Sequence, residues 1–150
     1  MEERLDLLNW MEQVRIELRH LAGEAPPDLE ITPGWTVKEV LCHISGWDQV
    51  TEQALWAYLD GGLYLLETMD IDACNQEMVV RRRDLSLDEI IEDWEKSRRL
   101  LISAIESLSK LDFEQEIIFP WGEEGTILEM LEIIAGHEQE HSEEIARQVS

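Results

Sequence analysis

Three times along this chain a Ser or Thr is followed three residues later by Glu, just ahead of a segment with helical apolar spacing: Thr36 with Glu39, Ser86 with Glu89, and Thr126 with Glu129. In such a capping box the hydroxyl accepts from the backbone N–H at the third helical position. The carboxylate reaches back to the cap's own N–H, so two otherwise unpaired donors are satisfied together. Each box therefore marks a helix start. After Thr36 the apolar stripe runs Val37, Val40, Leu41, Ile44, Trp47, Val50, Ala54 and Tyr58, and Gly61-Gly62 stops it. The helix opened by Ser86 carries Leu87, Ile91, Trp94, Leu101, Ile105 and Leu108. A fourth stripe near the N-terminus, Leu7, Met11, Val14, Leu18 and Leu21, is ended by Pro26-Pro27.

Four long amphipathic helices bury all their apolar stripes together by forming a bundle. The expected fold is therefore an all-α four-helix bundle in one domain spanning residues 1–150. Residues 63–84 are less regular and predict one shorter helix around Asp70–Val80. A connection that long between the second and third long helices implies a crossover. Pro120, Gly122 and Gly125 in IIFPWGEEG demand loop or hairpin geometry before the last helix.

Charge excludes some partners. Thirty-four acidic residues oppose 12 basic ones, for a formal net charge of −22. Phosphate recognition depends on clustered Lys and Arg, and Arg81-Arg82-Arg83 is the one basic run. Neither nucleic acid nor an anionic membrane surface is an expected partner. No apolar stretch approaches the roughly 18–20 residues of a membrane span, and MEERLDLLNWMEQ lacks a secretory signal pattern. A cytoplasmic location is expected, with Cys42 and Cys74 read as reduced core thiols.

The chemistry concentrates in the histidines. His137 and His141 stand four residues apart in GHEQEHSEEI, on the stripe of Met130, Ile134 and Ile145. Both imidazoles project from one helix face and can share a metal. An inward pair needs partners, since buried imidazoles must be hydrogen-bonded or ligated. His43 flanks the second helix's stripe, between Val40 and Trp47, whereas His20 lies off its stripe and reads as a surface residue. Glu138 falls where a zinc protease of the HExxH type keeps its general base, but a helical bundle is not the fold of those enzymes. Asp48 and Glu138 read first as solvated charges, with orientation of a histidine through its second nitrogen as the alternative. Arg98 lies on the third stripe, either reaching a pocket or snorkelling past the core. Asn75 and Arg81–Arg83 either approach the bundle mouth, to bind an anionic group, or cap the crossover helix. Trp47 and Trp121 are candidate pocket walls, with core packing as the alternative.

Taken in order, GWTVKEVLCHISGWDQ (34–49), DACNQEMVVRRRDLSLDEIIEDWEKSR (72–98) and PWG followed by TILEMLEIIAGHEQEHSEEI (120–122 and 126–145) resemble the DinB-like superfamily over nearly the whole chain. The resemblance implies a four-helix bundle with a crossover, often dimeric. It also implies a divalent metal such as zinc or nickel held by His43, His137 and His141. Related groups include bacillithiol transferases and the N-terminal domain of mycothiol-dependent maleylpyruvate isomerase. A metal-dependent enzyme acting on a small molecule, by thiol transfer or hydrolysis, is the leading expectation, with a low-molecular-weight thiol as candidate cosubstrate. Alternatives are a metal- or ligand-binding bundle without turnover, and a structural bundle with vestigial histidines.

Overall fold

The computed structural model describes residues 2–149. Among these, the chain forms α1 (Glu2–Glu24), α2 (Val37–Leu59), α3 (Ile71–Arg81), α4 (Leu87–Glu106), the single turn α5 (Lys110–Phe113), a hairpin of β1 (Glu116–Ile118) and β2 (Glu124–Thr126), and α6 (Ile127–Val149). All three capping boxes form. Glu89 N–H donates to Ser86 Oγ at 3.1 Å and Ser86 N–H to Glu89 Oε1 at 2.9 Å. The Thr126–Glu129 pair repeats this at 3.0 and 2.9 Å. At Thr36 both the backbone N–H and the hydroxyl donate to the Glu39 carboxylate.

The four long helices pack as a bundle in which α2 lies on α4 and α1 on α6, with α6 also against α2. Their directions follow from two apolar clusters. One gathers Leu7 and Met11 of α1, Ala54 and Leu55 of α2, Leu101–Leu108 around the end of α4, and Ile127–Leu131 of α6. The other gathers Leu18 and Leu21, Val40–Ile44, Ile90 and Trp94, and Ile145. Helices α2 and α4 therefore run parallel, opposite to α1 and α6. A chain leaving the end of α2 must travel back along the bundle before α4 begins, which makes the connection a crossover. Helix α3 lies along α2 on that return path. Gly46 permits this, because a Cβ there would collide with Met78, including its Cβ at 2.8 Å. Within α4 the innermost residue of the first turns is Ile90, with Leu87 and Ile91 half-buried.

Between the two apolar clusters lies a buried layer of four charges, one per long helix: Arg15, Asp48, Arg98 and Glu138, each no more than 5% exposed. Arg15 forks onto Glu138, with Nε–Oε1 at 2.8 Å and Nη2–Oε2 at 3.0 Å, and reaches Asp48 Oδ2 at 3.3 Å. Its third donor goes to the Trp94 carbonyl at 3.0 Å, and its guanidinium carbon stands 3.9 Å from the centre of a Trp94 ring. Arg98 donates to Asp48 through Nε at 2.9 Å and Nη2 at 3.3 Å, and bridges to Glu138 Oε2. These contacts correct the sequence reading. Asp48 and Glu138 are not solvated, and Arg98 neither snorkels nor enters a cleft, but completes a ring of alternating sign. Arg15 escaped notice although Met11 and Leu18 place it on the α1 stripe.

The layer is charge-balanced, so its energetics depend on keeping the balance. Deleting one member leaves an uncompensated buried charge, which costs about 3–5 kcal/mol. Asp48→Leu and Arg98→Met should each lower the unfolding free energy by about that amount. The double variant leaves the Arg15–Glu138 fork neutral and should cost clearly less than the two single losses added, as urea denaturation of all three variants would show.

Candidate metal centre

Helix α2 delivers His43 and α6 delivers His137 and His141 to the same point. The His137 Nε2 atom lies 2.8 Å from His43 Nε2 and 3.1 Å from His141 Nε2, and the three rings meet nearly edge to face. Suitable ligand atoms of all three lie within 4.8 Å of one another. The depth of the three differs from the sequence expectation. His43 is fully buried, but on α6 the innermost residue at this level is Glu138, and His137 and His141 flank it, half-buried. The pair thus stands beside the core and borders a cleft. His20 is exposed, with Nε2 3.3 Å from Glu24.

The donor set suits a cation. Glu144 accepts from His141 Nδ1 at 2.6 Å, which in the neutral ring leaves the Nε2 lone pair directed at the other two histidines. Three imidazole nitrogens facing one another cannot all be satisfied by shared protons, whereas a cation accepts every lone pair. Among the described residues, His43 Nδ1 is buried without a hydrogen-bond partner. Burial, then the neighbouring His137 and His141, push the His43 pKa down from 6.5 to about 2, against a small opposing effect of Asn75. Burial first and then His141 lower His137 to about 4. Both rings are therefore neutral near neutrality, the form in which an imidazole can ligate a metal.

A cleft of about 220 Å³ opens onto His43 and His137. Its walls are Trp47 of α2, Ile133 and Ile134 of α6, Ile71 and Asn75 of α3, and Trp121 and Glu123 of the hairpin. Trp47 and Trp121 stand perpendicular, with ring centres 5.8 Å apart. Trp47 donates to Asn75 Oδ1 and Trp121 to Glu123 Oε1, both at 2.7 Å. On the far side, Trp35 covers His43 at 5.0 Å between ring centres.

Asn75, Trp47 and Trp121 thus line the site, whereas Arg81–Arg83 do not. Arg82 turns under α3 to Asp93 at 2.7 Å and Gln49 at 2.8 Å, tying the crossover to α4 and α2. Arg81 pairs with Glu77 on the surface, and Arg83 is exposed. Cys42 and Cys74 are free and buried. Burial raises the Cys42 pKa to about 11 and raises that of Cys74, so neither thiol is an activated nucleophile.

A family model of the DinB superfamily matches residues 6–145. The chain belongs to the DinB superfamily. Its bundle is similar to the crystal structure of an uncharacterised protein from Escherichia coli UTI89, with a TM-score of 0.81 over 97% of this chain and 91% of that one. At 9% identity that likeness concerns the DinB fold alone. None of the curated proteins matches the chain. Among the described residues, no helix is long and apolar enough to cross a membrane.

The depressed histidine pKa values set a sign for acid sensitivity. Between pH 6.5 and 4 the unfolded chain binds protons at His43 and His137 that the folded, metal-free protein refuses. Stability is therefore lost as pH falls through that window, and for His43 the loss continues toward pH 2. A His43→Gln, His137→Gln double variant should show a shallower fall in its denaturation midpoint over pH 6.5–4. Parallel wild-type and variant curves would contradict this assignment.

Proposed function

We propose that His43, His137 and His141 hold one divalent transition metal, zinc or nickel, and that the DinB-like bundle is an enzyme acting on a small molecule by thiol transfer or hydrolysis. The observation that carries this reading is the convergence of three imidazole nitrogens from two helices, with His43 and His137 lining a largely apolar cleft. Such an ion supplies Lewis acidity, lowering the pKa of a water or thiol brought to it. The chain's own residues do the rest. Burial keeps His43 and His137 unprotonated, and Glu144 holds His141 in one tautomer. Trp47, Trp121 and the isoleucines give the cleft beside His43 and His137 an apolar wall.

The two cysteines are buried and poorly acidic. A transferred thiol therefore has to come from a second small molecule, and a low-molecular-weight thiol is the candidate cosubstrate. Two further proposals accompany this one: a homodimer, on the family resemblance, and a cytoplasmic setting, in keeping with the free cysteines. A binding bundle without turnover is the second reading. It is favoured by Asn75 and Glu123, the polar residues of the cleft wall, each accepting from a tryptophan and so partly engaged.

Elemental analysis of the purified protein should find about one metal ion per chain, lost in a His43/His137/His141 triple-alanine variant that stays helical by circular dichroism. An equal metal content in both would remove the site. Glu144→Ala should weaken metal affinity by about 10–100-fold while leaving the stoichiometry intact, as a competition titration with a chelator would report. Turnover of thiol or hydrolysable substrates by the loaded protein separates the enzyme from the binding module.

A further inference from the structure

Each wall of the cleft has a defined chemical character. Both indole N–H groups are already used inside the protein, on Asn75 and Glu123, so Trp47 and Trp121 offer the cleft their carbon surfaces. Ile71 and Ile133 are 39% and 47% exposed and border the same space. Large exposed aliphatic side chains beside two tryptophans make an apolar seat for a ring or a branched chain.

The charge along the wall has one sign. Among the described residues, no Lys or Arg lines the cleft. Arg15 and Arg98 are consumed by the buried ring, and Arg82 by Asp93 and Gln49. Glu123 supplies a carboxylate, with Oε1 fixed by Trp121 and no bond to Oε2 from the described residues. Around it lies a chain with a formal charge of −22, which concentrates cations and repels anions at its surface. An anionic substituent seated away from the histidines would find no counter-charge there.

We infer that the cleft selects small molecules with an aromatic or branched apolar body and an ammonium group, the body seated against the wall that Trp47 and Trp121 form together and the cation on Glu123. This rests on the metal-site reading only in taking the cleft as the approach to the histidines. It separates the substrate from anionic compounds of the same shape. A carboxylate-bearing thiol would enter through its sulfur, with its charged end outside the cleft.

Three probes of matched shape test this on the full chain freed of metal by chelator: 2-phenylethylamine, 2-phenylethanol and phenylacetate. Binding is read from the indole N–H resonances of Trp47 and Trp121, assigned with Trp47→Phe and Trp121→Phe variants. The amine should bind most tightly and phenylacetate least, about tenfold apart, a separation that shrinks with added salt. Glu123→Gln should abolish the lead of the amine over the alcohol. Phenylacetate binding as tightly as the amine would overturn the inference, as would an amine lead that survives Glu123→Gln, or indole resonances unmoved by all three probes. Because no metal is present, these results are independent of the elemental analysis. A protein that carries no metal in the elemental analysis yet prefers the amine would sink the metal reading alone, and one that carries metal there but shows no charge preference once stripped would sink this one alone.

Discussion

Arg15, Asp48, Arg98 and Glu138 meet in the middle of the bundle with alternating sign, one from each long helix, and the remaining architecture is arranged about them. Taking four charges out of water costs several kcal/mol apiece, which only close and well-formed hydrogen bonds offset. Apolar stripes alone tolerate some sliding of one helix along another. A guanidinium fork with two carboxylate partners does not, because its donors lie in one plane at fixed angles. The ring therefore fixes the relative heights of α1, α2, α4 and α6.

Two of those heights matter for chemistry. His43 lies five residues before Asp48 on α2, and His137 and His141 lie one before and three after Glu138 on α6. Helix geometry carries each histidine a set distance and direction from its ring residue. With α2 and α6 antiparallel and locked at Asp48 and Glu138 through Arg98, the imidazoles arrive at one point. Glu144 and Trp35 then hold two of the rings from behind. Connections, not bundle helices, complete the cleft: the crossover brings Ile71 and Asn75, and the hairpin brings Trp121 and Glu123. The crossover exists because α2 and α4 are parallel, and α3 sits close because residue 46 has no side chain.

Much of this was legible in local pattern. Cap spacing located three helix starts, apolar spacing named most of the core, and the four-residue separation of His137 and His141 announced a shared face. The errors came where one local signal had two tertiary outcomes. Asp48 and Glu138 are carboxylates in an acidic chain, so solvated faces were the natural reading, although Ile44 and Ile134 four residues earlier put both on apolar stripes. Arg15 carried the same signal beside Met11 and Leu18. The Arg81–Arg83 run divides by helix rotation: Arg82 turns in while its neighbours stay out. Glu144 had its helical spacing to His141 as a clue, but Glu138 and Asp48 offered competing ones.

What the sequence by itself determined is the set of interactions that act within about one turn of helix: the caps, the stripes, the breaks at Pro26 and Gly61, and the pairing of two histidines on one face. These depend on backbone geometry that is the same in every helix. Only the tertiary structure decided which carboxylates became buried partners of Arg15 and Arg98. It alone also brought His43 to the other two histidines, and set two tryptophans from distant segments over the same cleft. Those outcomes depend on how helices far apart in sequence are turned and raised against one another. That arrangement is fixed by the whole bundle satisfying its apolar faces and its four buried charges at once.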